Sequence, residues 1–130
     1  MIYLDSSALV KLILVEAESS ALREWLTENS EQPMVSSTLH RAEVARTVWR
    51  FEPAALPQCY RLMRRVQRIG MSADLLDTAA TVPPQILRSG DAIHLATALS
   101  IKRHLMAFVA YDKKLLAAAD GIGLPTACPA

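Results

Sequence analysis

Four acidic residues stand where a catalytic site could form: Asp5, Glu43, Asp91 and Asp112. Asp5 directly follows a short apolar run, and Asp112 directly follows the apolar stretch 106–111. If both runs are strands lying side by side in parallel, the two carboxylates project over the same sheet edge. Asp91 follows Gly90 at the mouth of a helix that is apolar on almost every side, so that helix enters the core at once. On a helical wheel Glu43 lies at the margin of an apolar arc of Leu39, Ala42, Ala45 and Trp49, at the rim of the core. Carboxylates crowded at such a rim repel and raise one another's pKa unless a counter-charge is present. A hard divalent cation supplies that charge, and oxygen ligands select Mg²⁺ or Mn²⁺ over zinc. The chemistry expected is phosphodiester hydrolysis by a metal-activated water.

Each acid also has a plainer reading. Asp is among the best N-cap residues, so Asp5, Asp91 and Asp112 taken singly are helix caps. Glu43 taken singly is a solvated helix residue pairing with Arg46 or Arg50. His94, one turn after Asp91, reads as a packed helix histidine, with general-base work as the alternative. Ser6 and Ser7 carry no G-x-S-x-G signature, and there is no P-loop or dinucleotide fingerprint. Arg61, Arg64, Arg65 and Arg68 read as a basic helix face. Arg46, Arg50, Lys113 and Lys114 lie nearer the acids and are the candidates for contact with RNA or a protein inhibitor.

The elements that must position these residues alternate between short strands and helices. After the first apolar run, helices are predicted over 8–15 and 18–28. A strand over 34–36 follows, then a helix capped by Ser37 or Thr38 and running to about Phe51. Past Pro53 and Pro57, the next helix is expected to bury Leu56, Cys59, Tyr60, Met63 and Val66 on one side. A weak strand is expected over 71–73 and a helix over 74–81, ending before Pro83-Pro84. A buried helix over 92–103, a strand over 106–111 and a helix over 112–119 follow, with a short edge strand within 125–130. This pattern predicts an α/β fold of three layers, a central, mostly parallel sheet flanked by helices. In such sheets the ligand site lies beyond the carboxyl ends of the strands.

At 130 residues the chain is expected to form a single domain over 1–130. Its formal charge of +1 offers no global basic field, so a nucleic-acid partner rests on local clusters. No signal peptide or membrane span is read, and Cys59 and Cys128 are expected to be free thiols, which suits a cytoplasmic protein.

Four segments resemble the PIN-domain family, and within it the VapC-type toxin ribonucleases. They are Ile2-Tyr3-Leu4-Asp5-Ser6-Ser7-Ala8-Leu9; the helix with Glu43 and Trp49-Arg50; Gly90-Asp91-Ala92-Ile93-His94-Leu95-Ala96-Thr97-Ala98; and Phe108-Val109-Ala110-Tyr111-Asp112-Lys113-Lys114-Leu115. The resemblance implies that Asp5, Glu43, Asp91 and Asp112 bind Mg²⁺ or Mn²⁺ and that Ser7 supports Asp5. It further implies endonucleolytic RNA cleavage leaving a 3′-hydroxyl and a 5′-phosphate, a homodimer, and a cognate VapB-type antitoxin. The family commonly has Ser or Thr two residues before the last aspartate, where this chain has Ala110. The alternative expectation is a non-catalytic module of the same fold that binds RNA or antitoxin.

Overall fold

The structure, a computed structural model, describes residues 1–130. Five strands form one sheet in the order β3-β2-β1-β4-β5, and every pairing is parallel. In chain order the elements are β1 (Ile2–Leu4), α1 (Ser6–Lys11), α2 (Ser19–Glu28), β2 (Met34–Ser37) and α3 (His40–Phe51). Then come α4 (Leu56–Met63), β3 (Gln67–Ile69), α5 (Ala73–Ala80), α6 (Ser89–Ser100), β4 (Ala107–Val109), α7 (Lys113–Gly121) and β5 (Thr126–Ala127). Short 3₁₀ turns at Pro53–Ala55 and Lys102–His104 link α3 to α4 and α6 to β4.

Strand alternation divides the core into two layers. Ile2 and Leu4 of β1 and Ala107 and Val109 of β4 face one side, where they pack with Leu9, Leu22, Val44, Val48, Cys59 and Met63 from α1 to α4. Tyr3 and Phe108 face the other side and pack with α5, α6 and α7 through Leu75, Leu95, Ala96 and Leu115. The Tyr3 and Phe108 rings, paired in register across β1 and β4, stack at 5.3 Å between centroids. Such a pair adds about 0.5–1.5 kcal/mol beyond its burial. The crossovers run to β2 and β3 on one side of β1 and to β4 and β5 on the other. The crevice where the direction reverses therefore opens at the carboxyl ends of β1 and β4.

Several expectations are corrected. The third strand lies at Gln67–Ile69 rather than 71–73, because Ser72 is taken by the N-cap of α5, accepting from the Leu75 N–H. The first helix starts earlier and ends sooner than 8–15, since Asp5 caps it. Neither Ser37 nor Thr38 caps α3: Leu39 occupies that position, and the Thr38 hydroxyl bonds Ile69 O, tying β2 to β3. The buried face of α3 is His40, Val44 and Val48, and Trp49 is 57% exposed. The α4 helix stops at Met63 and buries Cys59 and Met63, while Tyr60 is on its exposed side. Arg61 alone of the four arginines lies inside α4; Arg64 is its C-cap, Arg65 follows, and Arg68 is on β3. They do not form a single helix face. The α6 helix covers Ser89–Ser100 instead of 92–103. Cys59 and Cys128 are free thiols, as expected.

Candidate active site

Asp5 leaves β1 at the carboxyl edge, with its backbone N–H donating to Val109 O of β4 at 3.1 Å. Its side chain is a true N-cap: Oδ1 accepts from Ala8 N at 2.9 Å and from the Ser7 hydroxyl at 2.7 Å. Oδ2 accepts no bond. Ser7 in turn accepts from Tyr111 N at 3.3 Å, which joins the Asp5 loop to the residue before Asp112. Asp112 caps α7, taking Lys114 N and Leu115 N on Oδ1. The plain capping reading therefore holds for both residues, and each keeps one carboxylate oxygen unbonded.

Asp91 lies in the first turn of α6, where an acid is favoured by the helix dipole, but it is not the cap; Arg88 is. Its carboxylate is half-buried and makes no hydrogen bond. Glu43 enters from the opposite layer on α3. Ser6 donates to its Oε1 at 2.7 Å, and His94 Nε2 meets the same oxygen at 2.7 Å. Gly90 lies close behind: a Cβ there would stand 2.9 Å from Glu43 Oε2.

His94 is a packed helix histidine, as expected, but it also spans the two layers. Glu43, when ionised, can only accept, so Nε2 carries a proton, and in the neutral ring Nδ1 then accepts from the Tyr3 hydroxyl at 2.6 Å. The Tyr3 oxygen itself accepts from Ser37 N at 3.1 Å. A buried chain thus runs from β2 through Tyr3 and His94 to the Glu43 carboxylate. Sequence reasoning did not assemble this chain. The available signal was a tyrosine in an aliphatic strand facing a histidine on an all-apolar helix, since each needs a polar partner when buried.

The electrostatics couple the four acids. Burial pushes Asp5 above the usual carboxylate value, against the bonds from Ser7 and Ala8, with the Asp91 charge adding to the rise. Asp91 is raised first by burial and then by the Asp112 and Glu43 charges. Burial also opposes ionisation of Glu43, but the bonds from His94 and Ser6 outweigh it and hold that carboxyl below its ordinary value. No Lys or Arg forms an ion pair with any of the four. As the side chains stand, no three Asp, Glu, His or Cys groups close around one point as a metal site. The donor chemistry nonetheless fits a hard cation: oxygen throughout, several oxygens unbonded, mutual repulsion and no Lys or Arg counter-ion.

The basic residues are placed differently. Arg46 and Arg50 are exposed on the outer side of α3, Arg50 over the Phe51 ring at 5.3 Å, and neither is drawn to the acids. Lys113 is exposed at the start of α7, whereas Lys114 borders a groove with Asp91 and Asp112.

Two consequences can be measured. Tyr3→Phe strips the partner from His94 Nδ1 and from Ser37 N, both buried. It is expected to cost about 1–3 kcal/mol in denaturant unfolding, and an unchanged midpoint would contradict the chain of bonds. Gly90→Ala is expected to leave stability equal or higher by up to about 1 kcal/mol, since Ala is the better helix residue. The new methyl displaces the Glu43 carboxylate, so RNA cleavage is expected to fall by about 10²-fold.

A parallel five-stranded sheet between two helical layers, with acids at the end of β1, on α3, at the start of α6 and at the β4–α7 junction placed at one sheet edge, defines the class. The chain belongs to the PIN-domain family, which it matches over residues 2–121. It is 42% identical over 132 residues to ribonuclease VapC47 of Mycobacterium tuberculosis (strain CDC 1551 / Oshkosh), covering 99% of this chain and 97% of that protein. With ribonuclease VapC35 of Mycobacterium tuberculosis (strain ATCC 25618 / H37Rv) it shares 41% identity over 131 residues, at the same coverages. Among solved structures, Mycobacterium tuberculosis VapC20, described as a sarcin-ricin loop cleaving toxin, superposes with a TM-score of 0.73 at 20% identity, covering 91% of this chain and 95% of that one. A chain of VapBC2 from Rickettsia felis, bound to a DNA fragment from their promoter, gives 0.77 at 15% identity over the whole of both chains. At these identities the two structures establish a shared fold.

Proposed function

We propose that this chain is a Mg²⁺- or Mn²⁺-dependent endoribonuclease, the toxin of a toxin–antitoxin pair. The observation that carries the reading is the placement of Asp5, Glu43, Asp91 and Asp112 at one sheet edge, Asp91 within electrostatic reach of the other three and none of them paired with a Lys or Arg, in a chain about 40% identical to VapC ribonucleases throughout. Asp5, Glu43 and Asp91 would hold the cation, with Asp112 completing the set or helping to hold a second. When bound, it neutralises charge on the phosphoryl oxygens and lowers the pKa of water. Ser7 keeps Asp5 in its rotamer, and His94 and Ser6 keep Glu43 ionised and oriented. Ala110 is buried and brings no hydroxyl to the Asp112 side.

The test is cleavage of RNA by the purified protein with saturating Mn²⁺, against Asp5→Asn, Asp91→Asn and an EDTA control. Cleavage undiminished in both variants would rule the mechanism out. A non-catalytic module that binds RNA or antitoxin is favoured by two observations: Asp5 and Asp112 already serve as caps, and Ala110 lacks a hydroxyl. Calorimetric titration separates the two readings, since the module would show no carboxylate-dependent uptake of Mn²⁺.

A homodimer and a VapB-type antitoxin belong to the same reading. The outer side of α3, with exposed Trp49 and Phe51 beside Arg46 and Arg50, suits an amphipathic acidic segment of such a partner. No helix is long and apolar enough to cross a membrane, which is compatible with action in the cytoplasm. Co-expression with the product of an adjoining small reading frame tests the pairing through a stable complex and loss of cleavage.

A further inference from the structure

A groove of about 660 Å³ opens directly beside the acids, between the segment 83–88 and α7. Asp91, Asp112, Arg88 and Lys114 all line it. The rest is largely apolar, from Pro83, Ile86, Leu87 and Ile122. Ile86 is 83% exposed, so it packs on almost nothing within the chain. Neither Arg88 nor Lys114 has a carboxylate within ion-pair distance. The volume lies in the range of small-ligand sites, about 300–1,000 Å³.

We propose that this groove seats one unstacked nucleotide of the RNA next to the cleaved bond, its base against Ile86 and Ile122 and its phosphate drawn to Arg88 and Lys114. The inference rests on the ribonuclease reading above and names a subsite of that same site. Three features favour a nucleotide. The groove is continuous with the carboxylates, so a strand whose scissile phosphate lies there extends into it by one residue. Its charge pattern, two unpaired cations at an apolar wall, matches one phosphate and one base face. Sequence-specific RNA recognition generally works on splayed-out bases stacked on aromatic or guanidinium planes, and among the groove's residues Arg88 carries such a plane.

The experiment uses oligoribonucleotides with a known cleavage point and a single abasic residue moved stepwise along the strand. In the wild-type protein, one abasic position adjoining the cleaved bond is expected to lower kcat/KM by about tenfold, as for loss of one base contact. In Ile86→Ala the intact oligonucleotide is expected to show a similar loss through KM, and the abasic one no further loss. Ile86→Phe, which offers a flat face, is expected to restore KM. Lys114→Gln is expected to raise KM and to weaken its dependence on salt. Equal abasic effects in wild-type and Ile86→Ala would overturn the subsite while leaving the nuclease reading standing. Absence of cleavage by the wild-type protein would instead remove the reading on which it rests. Loss of a dimer or of an antitoxin complex in Ile86→Ala, with KM unchanged, would assign the groove to a protein partner and also overturn it.

Discussion

Asp5→Asn is expected to lower RNA cleavage by about 10³-fold, roughly 4 kcal/mol of transition-state stabilisation, while leaving the unfolding free energy within about 0.5 kcal/mol of wild type. The two halves of this result separate catalysis from capping. Asn is as good an N-cap as Asp, and its amide oxygen can accept the same bonds from Ala8 N and the Ser7 hydroxyl. Only the charge disappears. That charge sits in a buried side chain and is disfavoured there, so its removal does not harm the fold. If Asp5 were merely a cap, Asp5→Asn would be silent in both assays, and Asp5→Ala would cost about 1 kcal/mol through the lost cap. Cleavage at more than half the wild-type rate in Asp5→Asn would end its assignment as a metal ligand.

The second large effect is stabilisation by the cation. Mn²⁺ at a hundred times its dissociation constant is expected to add about 2.7 kcal/mol to unfolding, and Asp5→Asn/Asp91→Asn to abolish the gain. The pH dependence of the cation-free protein follows from the shifts. Asp5 and Asp91 are raised, so the folded chain holds their protons more tightly than the unfolded chain. Their contribution to stability is fully present below the ordinary Asp pKa and is lost as pH rises through the raised folded values. Glu43 is lowered and acts in the opposite sense: its contribution is present above the ordinary Glu value and lost as pH falls through the depressed one. Guanidinium unfolding in EDTA is therefore expected to show stability declining as pH climbs through the raised Asp values. The double variant should lack that decline. A wild-type curve that matches the double variant's, with no Mn²⁺ effect, would show that the acids do not share one electrostatic site.

Much of this arrangement was legible in the residues. Asp5 after one apolar run and Asp112 after another placed two carboxylates at one sheet edge, because strand polarity decides which end of a parallel sheet carries the loops. Gly90-Asp91 ahead of an all-apolar helix identified the third acid, because such a helix must be buried and its first turn must lie at the core rim. Glu43 is less legible: the apolar arc of the wheel includes Trp49, which is exposed, whereas the packed face is His40, Val44 and Val48. A helical wheel ranks faces by hydrophobicity, but the neighbours on β1, α1 and α4 decide which face is covered. The strand at Gln67–Ile69 was not visible, since its residues are mostly polar and exposed and its pairing with β2 is a long-range event.

Local sequence thus determined the alternation of elements and the parallel sheet, and it pointed to Asp5, Asp91 and Asp112 as acids at the sheet edge, all of which follow from periodicity and capping chemistry within a few residues. Tertiary structure alone decided which groups bear on those acids. The chain from Ser37 through Tyr3 and His94 to Glu43 joins residues up to 91 positions apart. Ser7 reaches Tyr111 across 104 positions. Such bonds exist only because β1 lies between β2 and β4, with one helical layer on each face. No local pattern encodes which buried donor meets which acceptor; that is settled when the two layers close over the sheet edge.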